Sequence, residues 1–218
     1  GKINIVIFLT GVGTRTLVEA VASDYPREKL AAALGRVTLV ARGPKSVAAL
    51  KELGLQPTII APEPNTWREI LSELDAKVVL GGQRVAVQEY GMTNPELISG
   101  LEGRGAEVVR VAVYRWALPE DTTLLRAALR DIIDGRAEIA LFTNAIQVDH
   151  LFRVATEERL DRSLRQALER VLIASIGPVC SEGLEHFGLR ADLEPDHPKM
   201  GHLIATAARR ARILLEQK

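Results

Sequence analysis

Five short turns carry most of the chemistry this sequence offers. They are Thr10-Gly11-Val12-Gly13, Gly43-Pro44-Lys45-Ser46, Gly81-Gly82-Gln83-Arg84, Thr143-Asn144-Ala145 and Gly177-Pro178-Val179-Cys180, each after an apolar run and before a segment of helical character. The first N–H groups of a helix have no intrahelical acceptor and can hold a carboxylate or phosphate. Glycine lets a ligand come close to the main chain. The chemistry expected is anion binding by backbone donors, with Lys45 and Arg84 as cationic adjuncts. Arg15 and Arg153 also follow such turns and either bind anions or only solvate helix starts. Taken singly, each glycine reads as a tight turn; five together, two of them related by a repeat, favour a ligand edge. Nucleotide fingerprints fail: Gly11 and Gly13 begin a GxGxxG, but Thr16 stands where the third glycine belongs, and no GxxxxGK[ST] exists.

The candidates for covalent or acid–base chemistry are few. Cys180 sits just inside an expected helix start, where a thiol can be activated. With no histidine or acid fixed near it in sequence, it reads as a small buried residue. Tyr114 follows a β-branched strand and is either strand packing or a phenol at the junction of two lobes. His197 lies between Asp196 and Pro198 in a loop, and the four histidines form no HExxH pair. No metal-ligand spacing appears.

The elements that position these turns alternate between strand and helix, the α/β pattern. Strands are expected at Ile3–Leu9, Val37–Ala41, Thr58–Ala61, Lys77–Leu80 and Glu107–Val113, then near Glu138–Phe142, Val171–Ser175 and Ala191. Pro44 suits a first helical position, Gly54 a helix end, and Thr66 with Glu69 a capping box. A shift of 134 positions lays the chain on itself without a gap: Ile5 on Ile139, Phe8 on Phe142, Val37 on Val171, Gly43-Pro44 on Gly177-Pro178. Two copies suit two α/β lobes with a ligand between them. The expected division is 1–113 for the first lobe, 114–119 for an extended linker and 120–218 for the second lobe.

Length and composition agree. The 218 residues suffice for two domains of common size, and the 47% hydrophobic content is mostly aliphatic, as buried parallel strands require. Formal net charge is zero, which argues against nucleic acid or a membrane surface as partner. One cysteine excludes an internal disulfide. Without a signal peptide or a long apolar run, the sequence reads as soluble and cytoplasmic. It opens on Gly1 and enters a strand almost at once, so it reads as a fragment or as lacking residues upstream.

Together these segments resemble uroporphyrinogen-III synthases. IFLTGVG and LFTNAIQ resemble degenerate forms of that family's paired FTSP-type turns. ARGPKSVAALKELGL and ASIGPVCSEGLEHFGL resemble its two Gly-x-x-(Thr/Ser) strand–helix units, and EVVRVAVYRW its segment ending in Val-Tyr. The resemblance implies two flavodoxin-like or Rossmann-like lobes with parallel sheets around an interlobe cleft. The implied enzyme is a cyclising hydro-lyase of tetrapyrrole (heme) biosynthesis that needs no cofactor or metal. It turns hydroxymethylbilane into uroporphyrinogen III with loss of water and inversion of ring D. It would act as a monomer supplied by hydroxymethylbilane synthase. Tyr114 matches the tyrosine proposed to help the hydroxyl leave. The substrate carboxylates would rest on Thr10, Gly11, Val12, Gly43, Pro44, Lys45, Ser46, Gly82, Gln83, Arg84, Asn144, Ala145, Gly177, Pro178, Val179 and Cys180. Three departures stand out: Leu9-Thr10-Gly11 and Thr143-Asn144-Ala145 lack the serine and proline, Cys180 replaces a hydroxyl residue, and the strand–helix–strand unit expected upstream of residue 1 is missing. They leave open a second reading, a non-catalytic bilane-binding or regulatory domain.

Overall fold

The apolar run near the start folds as strand β1 (Ile5–Phe8), buried along its whole length, and a five-stranded sheet is built on both its edges. The computed structural model describes residues 2–218. The chain divides into two compact units, Gly1–Trp116 and Ala117–Lys218. In the first, β1 is followed by α1 (Gly11–Val21), α2 (Arg27–Leu34), β2 (Thr38–Ala41), α3 (Pro44–Glu52), β3 (Ile59–Ile60), α4 (Trp67–Lys77), β4 (Arg84–Gln88), α5 (Pro95–Glu102) and β5 (Glu107–Val111). The second contains α6 (Thr123–Ile133), β6 (Ile139–Phe142), α7 (Ala145–Glu157), α8 (Asp161–Leu168), β7 (Leu172–Ser175), α9 (Pro178–Glu185) and α10 (Met200–Leu215).

In the first unit the strands lie in the order β3-β2-β1-β4-β5, all parallel. This is the doubly wound order, with its reversal between β1 and β4. Side chains alternate between the faces of the sheet. Ile5, Ile7, Val85 and Val87 pack with Ile70, Leu71 and Leu74 of α4 and Leu97 and Leu101 of α5. Val6, Phe8, Leu39 and Ala86 face the other way, against Leu34 of α2 and Leu50 of α3. The second unit pairs β6 with β7 in parallel and adds a single parallel bridge from Ala174 to Leu193. Its main core gathers Leu129, Phe142, Leu151, Phe152, Leu164, Ile173 and Leu184. Among the described residues no helix is long and apolar enough to cross a membrane.

The repeat survives in the structure. Ile5 pairs with Thr38 in the first unit, and Ile139 pairs with Leu172 in the second, the same register displaced by the repeat. Gly43 and Gly177 both stand at the N-cap of a helix whose first residue is proline. The expected capping box is also present: Glu69 accepts from the Thr66 N–H at 2.7 Å, and the Thr66 hydroxyl accepts from the Arg68 N–H at 3.1 Å. Thr66→Ala is expected to lower stability by about 1 kcal/mol, read as a shift of the urea midpoint with unchanged slope.

One strand lies elsewhere than the sequence pattern suggests. Lys77–Leu80 is not a strand: α4 runs to Lys77, and Val79 is 82% exposed. The fourth strand is β4, beyond the glycine pair, and it is bonded to β1 and β5 on its two edges. Three apolar residues beside Gly-Gly imitate a strand and its exit turn, whereas here the turn leads into the strand. Two other stretches read as turns, after Thr10 and after Asn144, are already the first turns of α1 and α7. The expected strand near Ala191 is reduced to the bridge at Leu193.

Candidate functional site

Because the first sheet is parallel, the carboxyl ends of its strands share one edge, the usual ligand edge of such folds. Thr10 caps α1 there, accepting from the Gly13 N–H at 3.0 Å, so the N–H groups of Gly11 and Val12 keep their donor capacity at that helix start. At the end of β2, Gly43 and Pro44 open α3, with Pro44 and Lys45 exposed. Tyr90 follows β4, and Tyr114 and Trp116 follow β5. The two later aromatic rings meet edge to face at 5.7 Å, and the Trp116 Nε1–H donates to the Tyr90 carbonyl at 2.7 Å. Gly91, at φ +81, lies under both rings, where a Cβ would collide with Trp116 and Tyr114. The half-buried Tyr114 thus belongs to a fixed aromatic group on the carboxyl side of the sheet.

Arg42, the last residue before Gly43, joins this group. Its guanidinium carbon stands 5.4 Å from the Tyr90 ring centroid. Its carbonyl accepts from the Asn65 amide at 2.9 Å, and the same amide donates to the Ala61 carbonyl at 3.1 Å. Burial pushes the Arg42 pKa down from its ordinary value, and the nearby Tyr90 and Tyr114 oppose that shift. Neither Arg42 nor Tyr90 is among the site residues expected from sequence. Arg42 is a charged residue ending an apolar strand, which could have flagged it. Tyr90 was hidden by the misplaced fourth strand.

Several expected site residues lie away from this edge or are buried. Gly82, Gln83 and Arg84 lead into β4 from its amino end, so they lie at the opposite edge from Thr10 and Gly43. There Gly82 N–H donates to Gly105 O at 2.9 Å, Arg84 N–H donates to Asn4 Oδ1 at 2.9 Å, and Arg84 pairs with Glu107 at 2.9 Å. Arg84→Gln is therefore expected to leave substrate KM unchanged; a rise matching that of a ligand-edge variant would contradict the assignment of edges. The Ser46 hydroxyl is not presented to a ligand, since the residue is buried. Cys180 occupies the repeat-equivalent position and is buried too, its Sγ 3.6 Å from the Phe142 carbonyl. Burial raises its pKa, so the thiol stays protonated and unreactive. The position takes a small side chain for packing, which accounts for serine in one unit and cysteine in the other. Alkylation of Cys180 by iodoacetamide is expected to be slow in the native protein and complete in denaturant.

The glycines also have a local cause. A Cβ on Gly11 would strike the Lys45 carbonyl, where α1 and α3 start side by side. A Cβ on Gly13 would strike the Gln88 side-chain amide, which fills the crevice between the ends of β1 and β4. Gln88 is fully buried; its Oε1 accepts from the Thr10 N–H at 3.3 Å, and its Nε2 donates to the Glu89 carbonyl. Gly43 makes room for the Asn65 side-chain amide, which would lie 2.9 Å from a Cβ, and Gly177 for Pro198 at 3.0 Å. These glycines admit the chain's own atoms. Gly13→Ala is expected to cost about 1–3 kcal/mol by overpacking, measured by urea denaturation, and less in a Gln88→Ser background.

In the second unit Asn144 caps α7, accepting from the Gln147 N–H at 3.0 Å, while the Thr143 N–H donates to Gln147 Oε1 at 2.8 Å. Ala145 begins that helix, and Pro178 and Val179, both half-buried, begin α9. Arg15 and Arg153 do not wait for an anion: Arg15 pairs with Glu52 at 2.6 Å and Arg153 with Glu157 at 3.6 Å. The arrangement supplies main-chain donors at helix starts in each unit, one exposed lysine, and a cation–phenol group in the first.

This geometry has relatives. The family model described as Uroporphyrinogen-III synthase HemD matches residues 1–205. An uncharacterized protein of Bacillus subtilis, YjjA, is 31% identical over 209 residues, 95% of this chain and 76% of its own length. Among solved structures, a mutant uroporphyrinogen III synthase of the extremely thermophilic bacterium Thermus thermophilus is 27% identical, with a TM-score of 0.67 over 99% of this chain and 79% of that one. The uroporphyrinogen-III synthetase of Helicobacter pylori, 16% identical, shares the fold alone, with a TM-score of 0.59 over 95% of this chain and 84% of that one.

Proposed function

We propose, from the premise that the chain belongs to the uroporphyrinogen-III synthase family, that it closes hydroxymethylbilane to uroporphyrinogen III, acting as a carbon–oxygen lyase. The reading draws support from one observation above all: Tyr114, in the segment that resembles the family's Val-Tyr, follows β5 on the side of the parallel sheet where β1 and β2 lead into the starts of α1 and α3. In this reading the donors of Gly11, Val12 and Lys45 hold substrate carboxylates, which needs no excess of positive charge on the protein.

The chemistry asks little of the side chains. The pyrrole nitrogen lone pair expels the hydroxyl while Tyr114 donates its proton to the departing oxygen, which leaves as water; the pyrrole N–H proton returns to the phenolate. The resulting azafulvene carbon is attacked by ring D at its substituted position, giving a spiro intermediate. The bond from the spiro carbon to the bridge carbon of the preceding pyrrole breaks and re-forms at the other α-carbon of ring D, across its nitrogen; that carbon then loses its proton, so ring D closes inverted. The protein's contribution is to hold the chain so that this attack precedes simple closure. The cytoplasm, a monomeric state and supply by hydroxymethylbilane synthase belong to the same reading.

The test is product identity: the purified protein, given hydroxymethylbilane, yields the type III isomer, separated chromatographically after oxidation. A product that is only type I, at the rate of the uncatalysed reaction, overturns the reading. The departures at Leu9-Thr10-Gly11 and Thr143-Asn144-Ala145 favour, as the second reading, a relative that binds the bilane without turning it over. That protein would bind without changing the isomer ratio.

A further inference from the structure

Arg42 differs from the other arginines placed above. Arg104 reaches Asp75 at 2.6 Å, Arg110 reaches Glu89 at 2.7 Å, and Arg126 holds both Glu157 and Glu158. Among the described residues no carboxylate stands within ion-pair distance of Arg42 and no acceptor within hydrogen-bond distance of its guanidinium. Its neighbours are instead the face of Tyr90 and, close enough to act on its charge, Tyr114. A half-buried guanidinium has lost part of its hydration, and a cation–π contact returns only a fraction of that. It keeps its charge even when its pKa is lowered.

The residue is also held in place. Its N–H donates to the Phe8 carbonyl at 3.0 Å, and its own carbonyl accepts from Asn65. The stem therefore leaves a fixed point at the end of β2, between the starts of α1 and α3. With its carbon over the Tyr90 ring and no acid paired to it, the guanidinium keeps N–H donors for a two-oxygen acceptor.

We propose that Arg42 is the side-chain clamp for one carboxylate of the ligand, oriented by Tyr90, and that it sets how a polycarboxylate lies on this edge relative to Tyr114. The carboxylate's identity as part of a bilane rests on the synthase reading; the anion preference of Arg42 does not.

The experiment uses the whole chain and two readouts. Uroporphyrin III, an unreactive fluorescent octacarboxylate, is titrated against the wild type, Arg42→Gln, Arg42→Met and, as a charge-matched control, Arg136→Gln. In parallel, KM and kcat are measured with hydroxymethylbilane. Loss of a charge-assisted hydrogen bond predicts a Kd for Arg42→Gln raised roughly ten- to hundredfold. KM should rise with it, kcat should change much less, and Arg136→Gln should match the wild type. Arg42→Met, which can still lie on Tyr90, should behave like Arg42→Gln and carries the test if the glutamine variant fails to fold. Wild-type Kd and KM in a folded Arg42 variant overturn the clamp while leaving the synthase reading intact. Uroporphyrin binding that depends on Arg42, in a protein that never turns over hydroxymethylbilane, supports the clamp and removes the synthase reading. A wild type that binds no uroporphyrin overturns the clamp.

Discussion

Tyr114→Phe is expected to slow conversion of hydroxymethylbilane by about 10²-fold or somewhat less, while the product remains type III. General acid assistance is typically worth about 10²–10⁴-fold, and the substrate expels its own hydroxyl with help from the pyrrole nitrogen, so the lower end applies. The phenylalanine ring keeps the edge-to-face contact with Trp116 and the packing over Gly91. A loss of rate is then a loss of the hydroxyl, not of the fold. Because ring-D selection would depend on how the chain is held, the isomer ratio should stand even as the rate falls. Full wild-type rate in Tyr114→Phe, or a switch to type I product, would remove the tyrosine from the proposed mechanism.

Phe152→Ala is expected to cost about 3–5 kcal/mol of folding stability, the usual toll for truncating a buried aromatic. Phe152 is buried and stacks on Phe187 with centroids 4.5 Å apart and planes 14° from parallel. The Arg165 guanidinium lies 4.7 Å from the centroid of the same ring. Truncation removes both contacts and leaves a cavity among α7, α8 and the end of α9. Phe152→Leu should recover much of the loss. A folded Phe152→Ala protein within about 1 kcal/mol of the wild type would mean that this core collapses around the gap.

Much of the fold was legible because local rules and the repeat pointed the same way. Pro44 and Pro178 announced helix starts, Thr66 and Glu69 announced a cap, and the displacement from Ile5 to Ile139 carried the strand register of the first unit over to the second. The fourth strand was not legible, because Lys77–Leu80 and Arg84–Gln88 both satisfy the local pattern. What separates them is that β4 has neighbours on both edges, and strand order is not a property of a local window. The site was legible in part for the same reason. Thr10, Gly43, Lys45 and Tyr114 fall at the carboxyl ends of strands whose limits were nearly right. Gly82 to Arg84 moved to the other edge with their strand. Arg42 and Tyr90 are far apart in sequence and meet only because β2, β1 and β4 lie side by side. Ser46 and Cys180 kept the expected chain position, but helical phase turned their side chains inward.

The contact between Gly13 and Gln88 has a consequence for how this sequence can drift. A side chain at position 13 and a glutamine at position 88 claim the same space, so the two sites are not free to vary independently. Shortening residue 88 first leaves a small void and an unsatisfied Thr10 N–H, a setback from which a lineage can recover by later enlarging residue 13. The reverse order forces a methyl group into a buried amide. Change at this pair is therefore ordered: a larger residue at position 13 becomes tolerable only after position 88 has been shortened.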